Sequence, residues 1–279
     1  MTTLDLDRLQ LIGQPQPTAK EAMSDPVIPR PAATLLLLRD GAAGLEVLMT
    51  ARHQEAGFAA GALVFPGGKV EATDAALRPA CAGCEGLDDT ALGFRIAAIR
   101  ETFEESGILL ARKASALDLL TEAELAELRQ RHPAPGFADF VTAAGLHLAT
   151  DMLVPYAHWI TPIDRPKRFD THFFVAPTPL DQVAVHDGHE AVEVVWAKPA
   201  ETVEAGDRER LKLVFATRMN LVKLATSRTV AEALAAAARD KVVTVCPEIV
   251  RTPEGPAIRI PEAAGYGLTQ MLVGAIPRA

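Results

Sequence analysis

The stretch Arg100-Glu101-Thr102-Phe103-Glu104-Glu105-Ser106-Gly107-Ile108 places three carboxylates within little more than one helical turn. Asp89 or Thr90 is suited to cap such a helix at its start, and Gly107 stands where a left-handed residue would end it. Apolar side chains recur at helical spacing and form one stripe: Leu92, Ile96, Ile99 and Phe103. The pattern predicts an amphipathic helix over about 89–106, with the three glutamates clustered away from this stripe.

The charges of this helix are unfavourable by themselves. Glu101 and Glu105 are at i and i+4, where like charges repel by about 0.2–0.5 kcal/mol, and the negative end of the helix dipole adds to the cost. One interpretation is a solvated acidic surface balanced by Arg100 and Lys69. The other is a site for a hard divalent cation, which prefers oxygen ligands and reverses the sign of the repulsion.

A second stretch, Phe65-Pro66-Gly67-Gly68-Lys69-Val70-Glu71, follows a strand candidate at Leu63–Phe65. Alone, the two glycines predict an ordinary turn that breaks this strand sharply. Glycines also allow the backbone to approach a ligand closely. With the acidic helix downstream, the two stretches form a recognisable pair.

Together the two stretches resemble the signature of the Nudix hydrolases. This signature runs Gly, five residues, Glu, seven residues, then Arg-Glu-U-x-Glu-Glu-x-Gly-U, where U is bulky and apolar. The matching residues are Gly68, Arg100, Glu101, Glu104, Glu105, Gly107 and Ile108. Thr102 departs from the apolar position, Asp74 replaces the first glutamate, and residues 75–99 stand where the signature has seven residues.

One branch of this family, which includes coenzyme A and acyl-coenzyme A diphosphatases, has such a long insertion. The lead-in Gly57–Gly68 and the later Arg168-Phe169-Asp170-Thr171-His172-Phe173-Phe174 are similar to that branch as well. The resemblance covers roughly residues 31–226.

The resemblance implies a metal-dependent diphosphatase. Glu101, Glu104 and Glu105 would hold Mg²⁺ or Mn²⁺, with the Gly68 carbonyl as an additional ligand. A metal would neutralise the non-bridging oxygens of the diphosphate and lower the pKa of a bound water.

A carboxylate near the metal would take the proton of the attacking water. Candidates for this base are Glu101 and the glutamates Glu190 and Glu193. Arg100, the remaining candidate catalytic residue, is expected to orient a glutamate by ion pairing rather than to touch the substrate.

The resemblance implies coenzyme A or acyl-coenzyme A as the best substrate. Because coenzyme A carries a 3′-phosphate beside its diphosphate, its site should offer extra cations, for which Arg52, Lys69 and Arg168 are candidates. ADP-ribose, NADH, other dinucleotides and nucleoside triphosphates remain alternatives. A nucleotide-sensing regulator on the same fold is an alternative from another class, although the three surviving glutamates favour catalysis.

Apolar periodicity and turn signals give the remaining elements. Strands are predicted at 33–38, 45–50, 63–65, 108–110, about 152–160, 169–176 and 191–197, helices at about 121–131, 136–146 and 227–239, and two strands around 253–255. Irregular alternation of strands and helices predicts an α+β fold, an α/β/α sandwich. By resemblance it is a Nudix fold with a mixed sheet, an insertion inside the signature and extra C-terminal elements.

Residues 1–30 are rich in Pro, Gln and Asp and are interpreted as a flexible leader, with 31–279 as a single domain. Met23 is an alternative start to Met1. Cys81 and Cys84, a CxxC pair, and His186 and His189 are interpreted as ordinary loop residues rather than metal ligands.

Composition argues against several classes of protein. The net charge of −8 disfavours binding to duplex nucleic acid, which depends on phosphate neutralisation. The apolar runs fall short of the roughly 18 residues of a membrane span. Three cysteines fit a reducing compartment rather than a disulfide framework. We expect a cytoplasmic protein that acts on a small nucleotide substrate, and the oligomeric state stays open.

Overall fold

The computed structural model describes residues 27–52, 61–114, 116–186 and 191–273. Most of the predicted leader, with the alternative start Met23, lies outside the described residues, as do Glu190 and His189. The strands are β1 (Arg30–Gly41), β2 (Gly44–Arg52), β3 (Leu63–Val64), β4 (Gly67–Lys69), β5 (Ala111–Lys113), β6 (Leu146–Leu148), β7 (Val154–Ile160), β8 (Phe169–Pro177), β9 (Ala191–Ala197), β10 (Thr244–Val245), β11 (Glu248–Thr252), β12 (Gly255–Arg259) and β13 (Gln270–Leu272). The α-helices are α1 (Asp89–Ser106), α2 (Glu122–Arg131), α3 (Phe137–Ala143), α4 (Pro199–Asp207), α5 (Phe215–Leu224) and α6 (Val230–Arg239).

The main sheet is mixed and, within the described part of the chain, has eight strands in the order β10-β7-β8-β1-β2-β3, with β4 beside β1 and β9 beside β2. Its central strand is β1, which is parallel to β8 on one edge. On the other edge β1 pairs antiparallel with β4 through its N-terminal half and with β2 through its C-terminal half. A run of apolar residues buried on both sides fits this interior position.

Two cores lie on opposite faces of this sheet. Alternate residues of β1, Leu35 and Leu37, pack against α1, whereas Leu36 and Leu38 pack in the core to which α5 and α6 contribute. The sheet therefore has helices on both faces, which confirms the predicted α/β/α sandwich. Residues 248–272 add the small antiparallel sheet β11-β12-β13, which includes the two strands predicted around 253–255.

Helix α1 has nearly the predicted bounds. Its N-cap is Asp88 rather than Asp89 or Thr90, because the Asp88 side chain accepts a hydrogen bond of 2.7 Å from the Ala91 N–H. Gly107 ends the helix in the left-handed region with φ of 74°, as predicted.

The insertion at 75–99 has a definite structure. It forms a 3₁₀ helix at Ala75–Ala80, an irregular loop that contains Cys81 and Cys84, and then the first turns of α1. Most of the additional residues therefore lie in the 3₁₀ helix and the loop that precede the acidic helix.

Two local predictions are wrong. Gly67 and Gly68 do not simply break a strand, because Gly67–Lys69 forms β4 and pairs with β1 in the register Ala33↔Gly68. Residues 108–110, predicted as a strand, are buried but form none. The nearest strand, β5, begins at Ala111, directly after them. Helices α4 and α5 were not predicted. None of the helices in the described residues has the length and apolar character needed to cross a membrane.

Candidate active site

Strand β4 brings Gly68 directly against α1. A Cβ on Gly68 would lie 2.5 Å from the carboxylate carbon and both carboxylate oxygens of Glu101, so only glycine fits with Glu101 in this position. The β1–β4 pairing thus joins the two halves of the sequence motif in space, although residues 75–99 separate them along the chain.

Arg100 organises the carboxylates around it. Its Nη1 donates to Glu101 Oε1 at 2.8 Å and to Glu104 Oε2 at 3.0 Å. Its Nη2 donates to the Lys69 carbonyl at 2.8 Å, which ties the helix to β4. The predicted ion pairing of Arg100 with a glutamate is therefore present in the structure.

Asp74 holds the other edge of the same guanidinium. Arg100 Nε and Nη2 donate to its two oxygens at 2.8 and 3.1 Å, and the pair is buried, with 7% of the Arg100 side chain and 1% of Asp74 exposed. Burial lowers the pKa of Arg100, but the hydrogen bond to Asp74 and the negative charges around it outweigh this effect and raise it above its usual value. Asp74 also accepts from the Glu71 N–H at 2.7 Å. The shorter aspartate thus anchors Arg100 from the position where the signature has glutamate.

Glu104 and Glu105 lie in different surroundings, which argues against the interpretation of the cluster as a solvated acidic surface. The Glu104 side chain is 44% exposed, whereas Glu105 is only 4% exposed. Glu105 points towards β2, where the Thr50 hydroxyl donates to its Oε2 at 3.4 Å. Partial burial raises the pKa of Glu104, and Arg100 acts in the opposite direction.

A cavity of about 450 Å³ opens beside this cluster. Gly68, Lys69, Glu71 and Glu101 are among the residues that line it. Aromatic and other large apolar side chains also contribute to its walls: Trp159, Ile160, Phe169, Phe173 and Phe215. The lining thus combines carboxylates and a cation with apolar surface, as expected for a ligand with a charged and an apolar part.

The three predicted cations of the substrate site differ in position. Lys69 is exposed and lines the cavity. Arg168 is buried and donates to the Thr161 carbonyl at 3.0 Å and the Val27 carbonyl at 2.7 Å. Its guanidinium therefore holds the chain segments around β8 together, and a substrate contact is not what this geometry favours. Arg52 ends β2, and its side chain lies outside the described part of the chain.

The two alternative bases differ in what can be said of them. Glu190 lies outside the described residues. On β9, Val194 and Trp196 pack in the core beside α1, whereas Val195 and Ala197 pack in the other core. Strand alternation therefore places Glu193 on the sheet face opposite α1. Glu101 lines the cavity, and Glu193 is not among its lining residues.

Sequence reasoning missed the role of Asp74 and the aromatic cavity. The spacing from Gly68 to Asp74 was available as a signal, because it equals the spacing to the first glutamate of the signature. The cavity had no such signal, since its walls come from β7, β8 and the start of α5.

Comparison with known proteins agrees with this geometry. The family described as the NUDT19 Nudix domain matches residues 86–218, which include the acidic half of the motif. A crystal structure of a Nudix hydrolase from Alicyclobacillus acidocaldarius superposes with a TM-score of 0.62 and 29% identity, covering 76% of this chain and 97% of that one. Residues 86–218 form a domain of the Nudix hydrolase family.

Curated relatives place this Nudix protein near one branch. The acyl-coenzyme A diphosphatase NUDT19 of Gallus gallus is 32% identical over 217 residues, covering 59% of this chain and 57% of the relative. The putative nudix hydrolase 7 of Caenorhabditis elegans is 32% identical over 158 residues, covering 57% and 48%. The chain thus spans about half the length of the curated relatives it matches.

Proposed function

We propose that this Nudix protein hydrolyses the diphosphate bond of a nucleotide-linked substrate with Mg²⁺ or Mn²⁺. The observation that carries the proposal is the contact between Gly68 and Glu101 beside the Arg100 cluster. The donor set contains only oxygens, from Glu101, Glu104, Glu105 and the Gly68 carbonyl, which is the ligand type that Mg²⁺ prefers. These residues therefore fit the metal that the family uses.

When bound, the metal would neutralise the diphosphate oxygens and lower the pKa of a water. The protein residues have separate tasks. Arg100 holds Glu101 and Glu104 in fixed positions by hydrogen bonds of 2.8 and 3.0 Å. Glu101 lines the cavity and is our candidate for the base that takes the proton of the attacking water. Lys69, which also lines the cavity, would bind a phosphate oxygen.

Coenzyme A or an acyl-coenzyme A is the substrate class we favour. The relatives named NUDT19 are acyl-coenzyme A diphosphatases, at about 30% identity to this chain. The aromatic side chains that line the same cavity as Glu101 offer apolar surface for a pantetheine or acyl arm. A nucleoside triphosphate has no such arm to place there.

A product-resolved hydrolysis assay with Mg²⁺ and with Mn²⁺ tests the proposal. It compares coenzyme A, acetyl-coenzyme A, ADP-ribose, NADH and nucleoside triphosphates. We expect 3′,5′-ADP and a phosphopantetheine from the first two. If only another diphosphate is cleaved, the proposed hydrolase activity stands and the proposed substrate class is rejected. If nothing is cleaved, a regulator that senses nucleotides is favoured instead.

Glutamate variants connect the activity with the site. Glu104→Gln and Glu105→Gln each should lower turnover on the order of 100-fold, corresponding to roughly 3 kcal/mol of transition-state stabilisation. Glu127→Gln is the matched control, because Glu127 is an exposed residue on α2 paired with Arg131. Near-parental turnover in both site variants at saturating Mg²⁺ would reject the metal assignment.

A further inference from the structure

A second group of metal-ligating side chains lies on β7 and β8, away from the acidic end of α1. His158, Asp170 and His172 each offer one ligand atom, and these atoms all lie within 4.8 Å of one another. His158 is directly opposite His172 in the antiparallel β7–β8 ladder. Asp170 and His172 are two residues apart and share a strand face. A regular sheet, rather than a loop, therefore sets the spacing of the three donors.

The group lies against Phe94 of α1. The His172 ring lies 4.0 Å from the Phe94 ring and 4.1 Å from the His158 ring, measured between centroids. Phe94 precedes Glu101 by seven residues, or roughly 10 Å along the helix. The group is therefore spatially separate from the Glu101–Glu105 cluster.

The imidazole of His158 is held by its second nitrogen. Its Nδ1 lies 2.8 Å from Thr244 Oγ1 on β10, while its Nε2 contacts Asp170 Oδ1. Ligating histidines are commonly oriented in this way, by a hydrogen bond at the nitrogen that does not bind the metal. The same Asp170 oxygen lies 3.9 Å from His172 Nε2, too far for a hydrogen bond. One carboxylate oxygen thus contacts one imidazole nitrogen and lies 3.9 Å from a second, so a cation bound among the three would replace the contact between His158 and Asp170.

The charges around the group act on a cation in both directions. Burial lowers the pKa of His172 to about 4, and His158 and Arg95 act in the same direction while Asp170 opposes them. Asp170 supplies a negative charge. Arg95, whose guanidinium lies over the Phe174 ring at 5.1 Å, is the nearby cation that weakens the site.

We propose that His158, Asp170 and His172 form a second metal site, selective for a first-row transition ion such as Zn²⁺. Two imidazoles and one carboxylate suit Zn²⁺ or Co²⁺, whereas Mg²⁺ prefers oxygen ligands alone. Three protein ligands leave a coordination position for water, consistent with the partial burial of all three residues. A bound ion would tie β7 to β8 and, through Thr244, to β10.

The test measures Zn²⁺ binding to the full, chelator-treated chain by calorimetry, with excess Mg²⁺ present to occupy the carboxylate cluster. Asp170→Asn and His172→Ala remove ligands by two different changes. His147→Ala is the matched control, because His147 lies on β6 and outside the group. A Cys81→Ser/Cys84→Ser variant controls for thiolate binding.

We expect one Zn²⁺ per parental chain, retained in both controls and weakened about 10- to 100-fold or lost in the two ligand variants. Visible absorption of Co²⁺ bound at the same site should disappear in the same variants. Equal Zn²⁺ binding in all variants, or none in the parental chain, would overturn the proposal. So would loss of Zn²⁺ in Glu104→Gln with retention in Asp170→Asn. None of these measurements involves hydrolysis. A negative result for Zn²⁺ binding therefore leaves the proposed diphosphatase function intact, and a negative hydrolysis assay leaves the second metal site intact.

Discussion

Gly68 and Glu101 approach so closely that a methyl group on Gly68 would lie 2.5 Å from the carboxylate of Glu101. The obstacle is the end of a flexible side chain, so Gly68→Ala should move Glu101 rather than unfold the protein. We expect hydrolysis to fall at least about tenfold, corresponding to about 1.4 kcal/mol. Turnover and thermal unfolding measured on the same preparation check this.

Gly67→Ala is the control at the neighbouring position. Here we expect the main effect on stability rather than on the position of Glu101. Its Cβ would lie 2.5 Å from the Ala33 carbonyl oxygen and 2.8 Å from Thr34 Cα, both on the backbone. Because the backbone of β1 cannot easily move, we expect about 1–3 kcal/mol of lost stability. If Gly68→Ala lost the same stability as Gly67→Ala, the contact with Glu101 would not be its main effect.

The buried pair of Asp74 and Arg100 should matter for stability. Asp74→Asn leaves the Arg100 guanidinium without its most buried carboxylate, and removing one partner of a buried pair costs about 3–5 kcal/mol. Urea unfolding at neutral pH measures this. Asp89→Asn, which removes a 78% exposed partner of Arg78, should cost no more than about 1 kcal/mol. Similar losses in both variants would contradict the structural role of Asp74.

The identity of the base can be decided between Glu101 and Glu193. Glu101→Gln should lower kcat by about 100-fold or more and remove the acidic limb of the pH–rate profile. Glu193→Gln should leave both unchanged, because Glu193, unlike Glu101, does not line the cavity. A normal profile in Glu101→Gln would exclude it as the base.

Filling the cavity should change substrate preference. Ala216 lines the cavity beside Phe215. In Ala216→Phe the larger ring would occupy space that we assign to the pantetheine or acyl arm. We expect KM for acyl-coenzyme A to rise about tenfold while KM for ADP-ribose changes little, since loss of uniform binding raises KM alone. Equal changes for both substrates would place the arm elsewhere.

The capping box of α2 should contribute pH-dependent stability. The hydrogen bond from Lys113, followed by those from the Thr121 backbone and hydroxyl, lowers the pKa of Glu124 from 4.5 to about 2. A carboxylate whose pKa is lower in the folded state stabilises above its unfolded pKa, and this stabilisation disappears as the pH falls towards about 2. Glu124 is exposed, so we expect less than about 1 kcal/mol.

Unfolding free energies of the parental chain and Glu124→Gln, compared from pH 7 to pH 2, measure this contribution. The gap between them should close as the pH falls. A gap that stays constant would show that the ionised carboxylate is not its source.

Helix α1 could be predicted from the sequence because its signals are local. The stripe of Leu92, Ile96 and Ile99 follows one helical period, and Gly107 marks its end. The capping box of Thr121 and Glu124 was equally local, and α2 follows it as predicted.

Elements defined by distant partners could not be predicted in this way. Two adjacent glycines have the composition of a turn, and only the pairing with Ala33 makes Gly67–Lys69 a strand. Helix α5 is buried on several sides, so its apolar residues show no helical period. The burial of Glu105 depends on Thr50 of β2, and the role of Arg168 depends on the Val27 and Thr161 carbonyls. In each case the deciding contact lies far away in the sequence.

The parallel pairing of β1 with β8 has a consequence for the way the chain is made. During synthesis β1, β4 and the acidic helix leave the ribosome well before Phe169–Pro177. Until β8 arrives, the long apolar strand β1 has one unpaired edge, and exposed edges of this kind promote aggregation. We therefore expect a nascent chain that carries the complete acidic helix while one edge of β1 is still open to other chains.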